Sequence, residues 1–114
     1  MSPYDRGAPY WYGGKAWANF GLKRYDQAIE LARRAITINP NIANIHLNLV
    51  AALALADHDA EAREALQRYL ALPSVGPLKT IAACKAYVGS QHWLPAEATE
   101  RWYDGLRKAG MPEE

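Results

Sequence analysis

The chain has 114 residues, half of them apolar and 22% charged, the size and composition of one globular domain or of a piece of something larger. Thirteen Lys and Arg against twelve Asp and Glu leave a formal charge of +1, which argues against a nucleic-acid partner, since phosphate contacts need a basic excess. A single cysteine, Cys84, excludes an internal disulfide. The start, Met1-Ser2-Pro3-Tyr4-Asp5-Arg6, lacks the apolar core of a signal peptide. No apolar run approaches the ~18 residues of a membrane span, so a soluble, cytoplasmic chain is expected.

Twenty-one alanines and twelve leucines stand against twelve Val, Ile and Thr together, and no long stretch alternates apolar with polar. Ala and Leu lose little on entering a helix, so the expected class is all-α, with about six helices. The first is expected over 9–22, after a Pro- and Gly-containing lead. The second covers 26–38 and stops at Asn39-Pro40, because a proline pushes the preceding residue out of the helical region. A third covers 42–56. Asp57-His58-Asp59 offers side-chain oxygens to cap a fourth, over 60–72. Pro73, Gly76 and Pro77 break the chain, with Pro77 in the first turn of a fifth helix that Gly89 closes near Val88. Pro95 opens the sixth, which ends at Ala109 before Gly110 and Pro112.

The third helix is apolar nearly all round: Ile42, Ile45, Leu49, Leu53 and Ala56 form one stripe, and Leu47, Val50, Ala51, Ala54 and Leu55 fill most of the rest. It is expected to be sandwiched between neighbours. The second and fourth carry one apolar stripe each (Ala28, Leu31, Ala32, Ala35; Ala62, Ala65, Leu66, Tyr69) and a charged back. Short connections make neighbouring helices antiparallel.

A shift of 34 positions places Ala28 on Ala62, Leu31 on Ala65, Ala32 on Leu66 and Ile38 on Leu72. A helix–turn–helix unit of that length resembles the tetratricopeptide repeat. Arg24-Tyr25-Asp26-Gln27-Ala28-Ile29-Glu30, followed by Ala35 and Asn39-Pro40, is similar to the second helix of such a repeat. The first-helix signature is poor: Tyr12-x-x-Lys15-Ala16-x-x-Asn19 and His46-x-x-Leu49-Val50-x-x-Leu53 replace aromatic-x-x-Leu-Gly-x-x-Tyr. The resemblance implies an α-α superhelix of antiparallel hairpins. Its expected parts are the end of an upstream repeat in 1–8, repeats in 9–41 and 42–74, and a degenerate third hairpin or carboxy-terminal cap in 75–114. The segment from Asp104 to Glu113 is similar to the closing segment of tetratricopeptide tails on bacterial class III adenylate cyclases. Related tails occur on helical-repeat transcription regulators, and Ser2-Pro3-x-Asp5 resembles the turn ending a preceding repeat. The likeness implies the carboxy-terminal regulatory part of a larger bacterial signalling protein.

No Cys-x-x-Cys, His-Glu-x-x-His, phosphate loop or Gly-x-Ser-x-Gly occurs, so a chain without catalysis, cofactor or metal is expected. Asp57-His58-Asp59 reads as a polar turn rather than a metal site, His46 as a packed imidazole, and Cys84 as a small core residue; His92 is expected in a loop with no chemical neighbour in sequence. Lys23-Arg24 and Arg33-Arg34 read as a solvated helix face diluted by Asp26 and Glu30.

Seven of the twelve aromatics fall in the first 25 residues. On the first helix Tyr10, Trp17 and Phe20 share a face beside Gly13 and Gly14. The family resemblance implies that first helices line a concave groove. By register that groove takes Tyr10, Gly13, Gly14, Trp17 and Phe20 from the first repeat, and Asn44, Leu47, Asn48, Ala51 and Leu55 from the second. Asn48 matches an asparagine that hydrogen-bonds peptides in some members, but the cations of a carboxylate clamp are missing. Two uses of the aromatic face stay open: binding a protein or peptide, or packing on an upstream repeat or a second copy, which gives a homodimer.

Overall fold

The computed structural model describes residues 8–76, 78–88 and 95–114. Among them are six α-helices and no strand: α1 (Ala8–Gly21), α2 (Tyr25–Ile38), α3 (Ala43–Leu55), α4 (Asp59–Leu70), α5 (Ile81–Val88) and α6 (Ala96–Ala109). A 3-10 turn, Pro73–Val75, lies between α4 and α5.

The 34-residue interval is written into the backbone. Lys23 and Asp57, 34 positions apart, both take the left-handed conformation, at φ 62° and 65°. Each closes the same turn: Arg24 N–H donates to Asn19 O at 2.8 Å, and His58 N–H to Leu53 O at 2.9 Å. A left-handed residue after the last helical turn lets these amides reach back to carbonyls that would otherwise lack partners. The next helices begin alike, with Ala28 N–H on Arg24 O and Ala62 N–H on His58 O. Between the two units Pro40 holds Asn39 extended at φ −143°, and the Asn39 side chain accepts from Asn41 N–H.

Helices α1 and α2 form one hairpin and α3 and α4 a second, joined through α2 against α3. Ile45 to Ala54 of α3 are all buried, because α2, α4 and α6 each pack on it. The stripes Ala28, Ile29, Ala32, Ala35 and Ala62, Ala65, Leu66, Tyr69 turn inward from α2 and α4. An apolar helix under two amphipathic ones is the burial their sequences require.

Three local expectations are corrected. The fourth helix ends at Leu70, not at 72, and His58 caps it without any side-chain bond. The Asp57 carboxylate pairs instead with Lys108 at the far end of α6. Asp59 and Glu61 still place negative charge in the first turn, where the helix dipole favours it. The fifth helix starts only at Ile81, after the 3-10 turn. Pro77, Gly89 and His92 lie outside the described residues.

Helix α6 packs mainly on α3 rather than on α5, its neighbour in sequence. The pairs Trp102 with Asn48, Gly105 with Ala51 and Lys108 with Asp57 show it running in the same direction as α3. Its end is a left-handed Gly110 at φ 108°, after which Met111 N–H returns to Leu106 O. The tail then meets α5: Pro112 O and Glu113 O accept from Ile81 and Ala82 N–H, two amides that the first turn of a helix leaves unpaired.

Candidate protein-interaction site

The face shared by α1 and α3 is where sequence register places a groove, and α6 lies on it. Trp17 of α1 is half-buried, its ring 5.6 Å from that of Trp102. The Trp102 indole is 1% exposed and donates Nε1–H to the buried Asn48 Oδ1 at 3.2 Å. Above Ala51 the two backbones nearly touch: a Cβ at Gly105 would sit 2.8 Å from Ala51 O. Only glycine permits that approach.

Arg101 binds the other end of the face. Its guanidinium donates to Phe20 O at 3.2 Å, Gly21 O at 3.1 Å and Tyr25 Oη at 2.7 Å, the first two being the last carbonyls of α1. A cation there joins the Lys23 N–H already on Phe20 O, gives Gly21 O a donor, and complements the negative end of the helix dipole. Glu97 holds the guanidinium from behind, and the hydrogen bond from Arg101 keeps its carboxyl below the usual range.

The ten groove residues therefore separate. Trp17, Phe20, Asn48 and Ala51 meet α6, and Leu47 is buried in the core. Leu55 is half-buried, whereas Asn44 and Tyr10 are exposed. Tyr10 does not share the surroundings of Trp17 and Phe20: it is exposed, although Ala8, Pro9 and Gly13 on the same end of α1 are buried. Gly13 admits the Ile45 side chain of α3, and Gly14 faces open space.

Arg101, Trp102 and Gly105 were not singled out from sequence. Two signals were available: Ala98, Trp102, Gly105 and Ala109 recur at helical spacing, and a glycine inside a helix often marks a close approach. Nothing in one chain's pattern says on which neighbour such a stripe will land.

Elsewhere, a cleft of about 590 Å³ opens between α2 and α4 over Ile29, Ile38 and Leu53. An ion pair of Arg33 with Glu61 spans it, and Arg34 pairs with Glu30 along α2. His46 packs with its Nε2 2.7 Å from Pro40 O. Cys84 is buried, and burial pushes its thiol up to about 11, the behaviour of an inert core residue. Among the described residues no group of three or more His, Cys, Asp or Glu could hold a metal ion, and no helix is long and apolar enough to cross a membrane.

Residues 20–72 match the family model described as Tetratricopeptide repeat, a span from the end of α1 to just past α4. No curated protein and no solved structure matches the chain. With the repeated backbone turns, the architecture is an all-α, tetratricopeptide-like array of helical hairpins.

Proposed function

We propose that the chain is a non-catalytic protein-interaction and assembly module whose inner groove holds its own α6 and whose free surface is the outer face of α1. The observation that carries this is the uneven treatment of α1. Trp17 and Phe20 are covered, while Tyr10 and Trp11 are 66% and 44% exposed. An apolar surface left bare on a repeat array marks a place for another protein. A partner segment lying along the groove itself would use Tyr10 and Asn44 directly, and would reach Trp17, Phe20, Leu47, Asn48, Ala51 and Leu55 only as α6 moves aside.

The finer reading is the carboxy-terminal regulatory part of a larger bacterial signalling protein, such as an adenylate cyclase, working in the cytoplasm. The likeness of the segment from Asp104 to Glu113 to the tails of those enzymes supports it. A transcription regulator is the alternative parent. A homodimer through the amino-terminal aromatic end is a second reading, favoured by the same exposed side chains.

Site-specific photocross-linking tests the module. A benzophenone side chain placed at Tyr10 should form protein adducts in the native host, and one at the exposed Gln67 of α4 should not. Adduct mass separates another protein from a second copy. An uncross-linked chain at both positions removes the interaction reading.

A further inference from the structure

We infer that α6 sits in the α1–α3 groove as an exchangeable ligand, and that the partner fitting this groove is a helix of the same chemistry, Arg-Trp-x-x-Gly-x-x-Lys, a step that rests on the interaction reading and names its partner. In α6 these residues are Arg101, Trp102, Gly105 and Lys108. Arg101 donates to Phe20 O and Gly21 O at the end of α1. Lys108 pairs with Asp57, and with Asp59 at 3.6 Å, where α3 turns into α4. These two places are the same point of successive repeat units, marked by the left-handed Lys23 and Asp57.

The occupant's spacing matches that of the array. Arg101 and Lys108 stand seven positions apart, on one face of α6. Seven positions of helix rise about 10.5 Å, close to the roughly 8–10 Å that separates packed helices. Each cation therefore meets the end of one first helix. Both ends are negative, one through the last carbonyls of α1 and the other through two aspartates, so the groove's charge selects a basic helix. Between the cations Trp102 donates to Asn48, and Gly105 lets the backbone lie on Ala51. Only a helix brings these four residues to one face.

The polar groups of this seam suit a surface that opens and closes. Asn48 Oδ1, Gly21 O, Tyr25 Oη and the Asp57 carboxylate accept from α6, and each accepts from water when the groove is open. A permanent seam loses nothing by replacing such pairs with apolar groups of the same shape. The stripes that α2 and α4 turn onto α3 are built that way, from Ala28, Ile29, Ala32, Ala35, Ala62, Ala65 and Leu66. Among the described residues the buried polar side chains are His46 and Asn48. His46 bonds to the nearby Pro40 O, whereas Asn48 faces α6. What water cannot replace is the burial of Trp102 and Leu106, so α6 gives way only to a helix that brings its own apolar side chains.

A fluorescently labelled peptide of residues 95–114, titrated into the full chain and followed by anisotropy, tests this. In wild type α6 competes at an effective concentration of about millimolar, so the peptide should bind weakly. Lys108→Glu and Trp102→Ala chains should each bind it roughly ten-fold or more tightly, since both loosen α6 and leave the groove as it is. Lys108→Glu sets a third acid beside Asp57 and Asp59 on an exposed side, so it loosens α6 without opening the core. A peptide carrying Arg101→Glu and Gly105→Leu should bind none of the three chains. No peptide binding to the Lys108→Glu chain, with its circular dichroism kept, overturns the proposal, as does equal binding of the altered peptide. If that failure comes with cross-linking from Tyr10 to another protein, α6 is a fixed part of the fold and the module stands; if cross-linking also fails, both fall.

Discussion

The Trp102 indole N–H donates to the Asn48 side-chain oxygen at 3.2 Å, joining α6 to α3 across 54 positions of sequence. Both residues are almost fully buried, so neither group has water to fall back on. This bond sits where an outside ligand was expected to meet Asn48, and it makes α6 part of the array.

Breaking that pair from either side leaves a buried polar group alone. Trp102→Phe and Asn48→Leu should each lower stability by about 1–3 kcal/mol in urea unfolding. The double variant should cost less than the two added together, since no orphan remains. Strict additivity would show that the bond contributes nothing.

Two glycines should respond to alanine with opposite signs. At Gly14 the new methyl meets nothing and the helix gains, so stability should rise by roughly 0.5–1 kcal/mol. At Gly105 the methyl would press on Ala51 O at 2.8 Å and Ala51 Cα at 3.0 Å, backbone atoms that cannot swing away. Overpacking outweighs propensity there, and a net loss of about 1–3 kcal/mol is expected. Thermal unfolding of the two variants side by side reads both signs. A stabilised Gly105→Ala would mean that α6 does not lie this close to α3.

Arg101→Lys keeps the charge and loses the planar fork that reaches Phe20 O, Gly21 O and Tyr25 Oη together. A loss of about 1–2 kcal/mol is expected, because hydrogen bonds to charged groups are the stronger kind. Arg68→Ala, which removes an exposed pair with Glu64 on α4, should change stability by no more than about 0.5 kcal/mol. Equal effects from the two would refute a special role for Arg101.

Acid should loosen α6 first. Asp57 is held below the usual carboxylate range by the hydrogen bond from Lys108, and Glu97 by that from Arg101. A carboxyl depressed in the fold stabilises it fully above its unfolded pKa, and that help disappears as pH falls through the lower, folded value. The loss should therefore begin below about pH 4. Hydrogen exchange of α6 amides against pH should show it, and Asp57→Asn should flatten the change. Exchange that rises equally in α2 would assign the acid effect to the whole molecule.

The chain's order along its length was legible in its residues. Pro40 stops α2 by sterics, Gly110 ends α6 by taking a left-handed turn, and the apolar stripes fall at helical spacing because 3.6 residues make a turn. The 34-residue shift likewise predicts two like hairpins, and the paired turns at Lys23 and Asp57 express it. Those features depend on neighbours a few positions apart, or on a repetition that can be counted. What fills the groove depended on the tertiary structure alone. Asn48 has the same sequence whether it faces a peptide, water or Trp102, and Asp57 can equally well cap α4 or hold Lys108. Those choices are made by contacts spanning some 50 to 80 positions, such as Asn48 with Trp102 and Gly21 with Arg101, whose energies exist only once the helices have met.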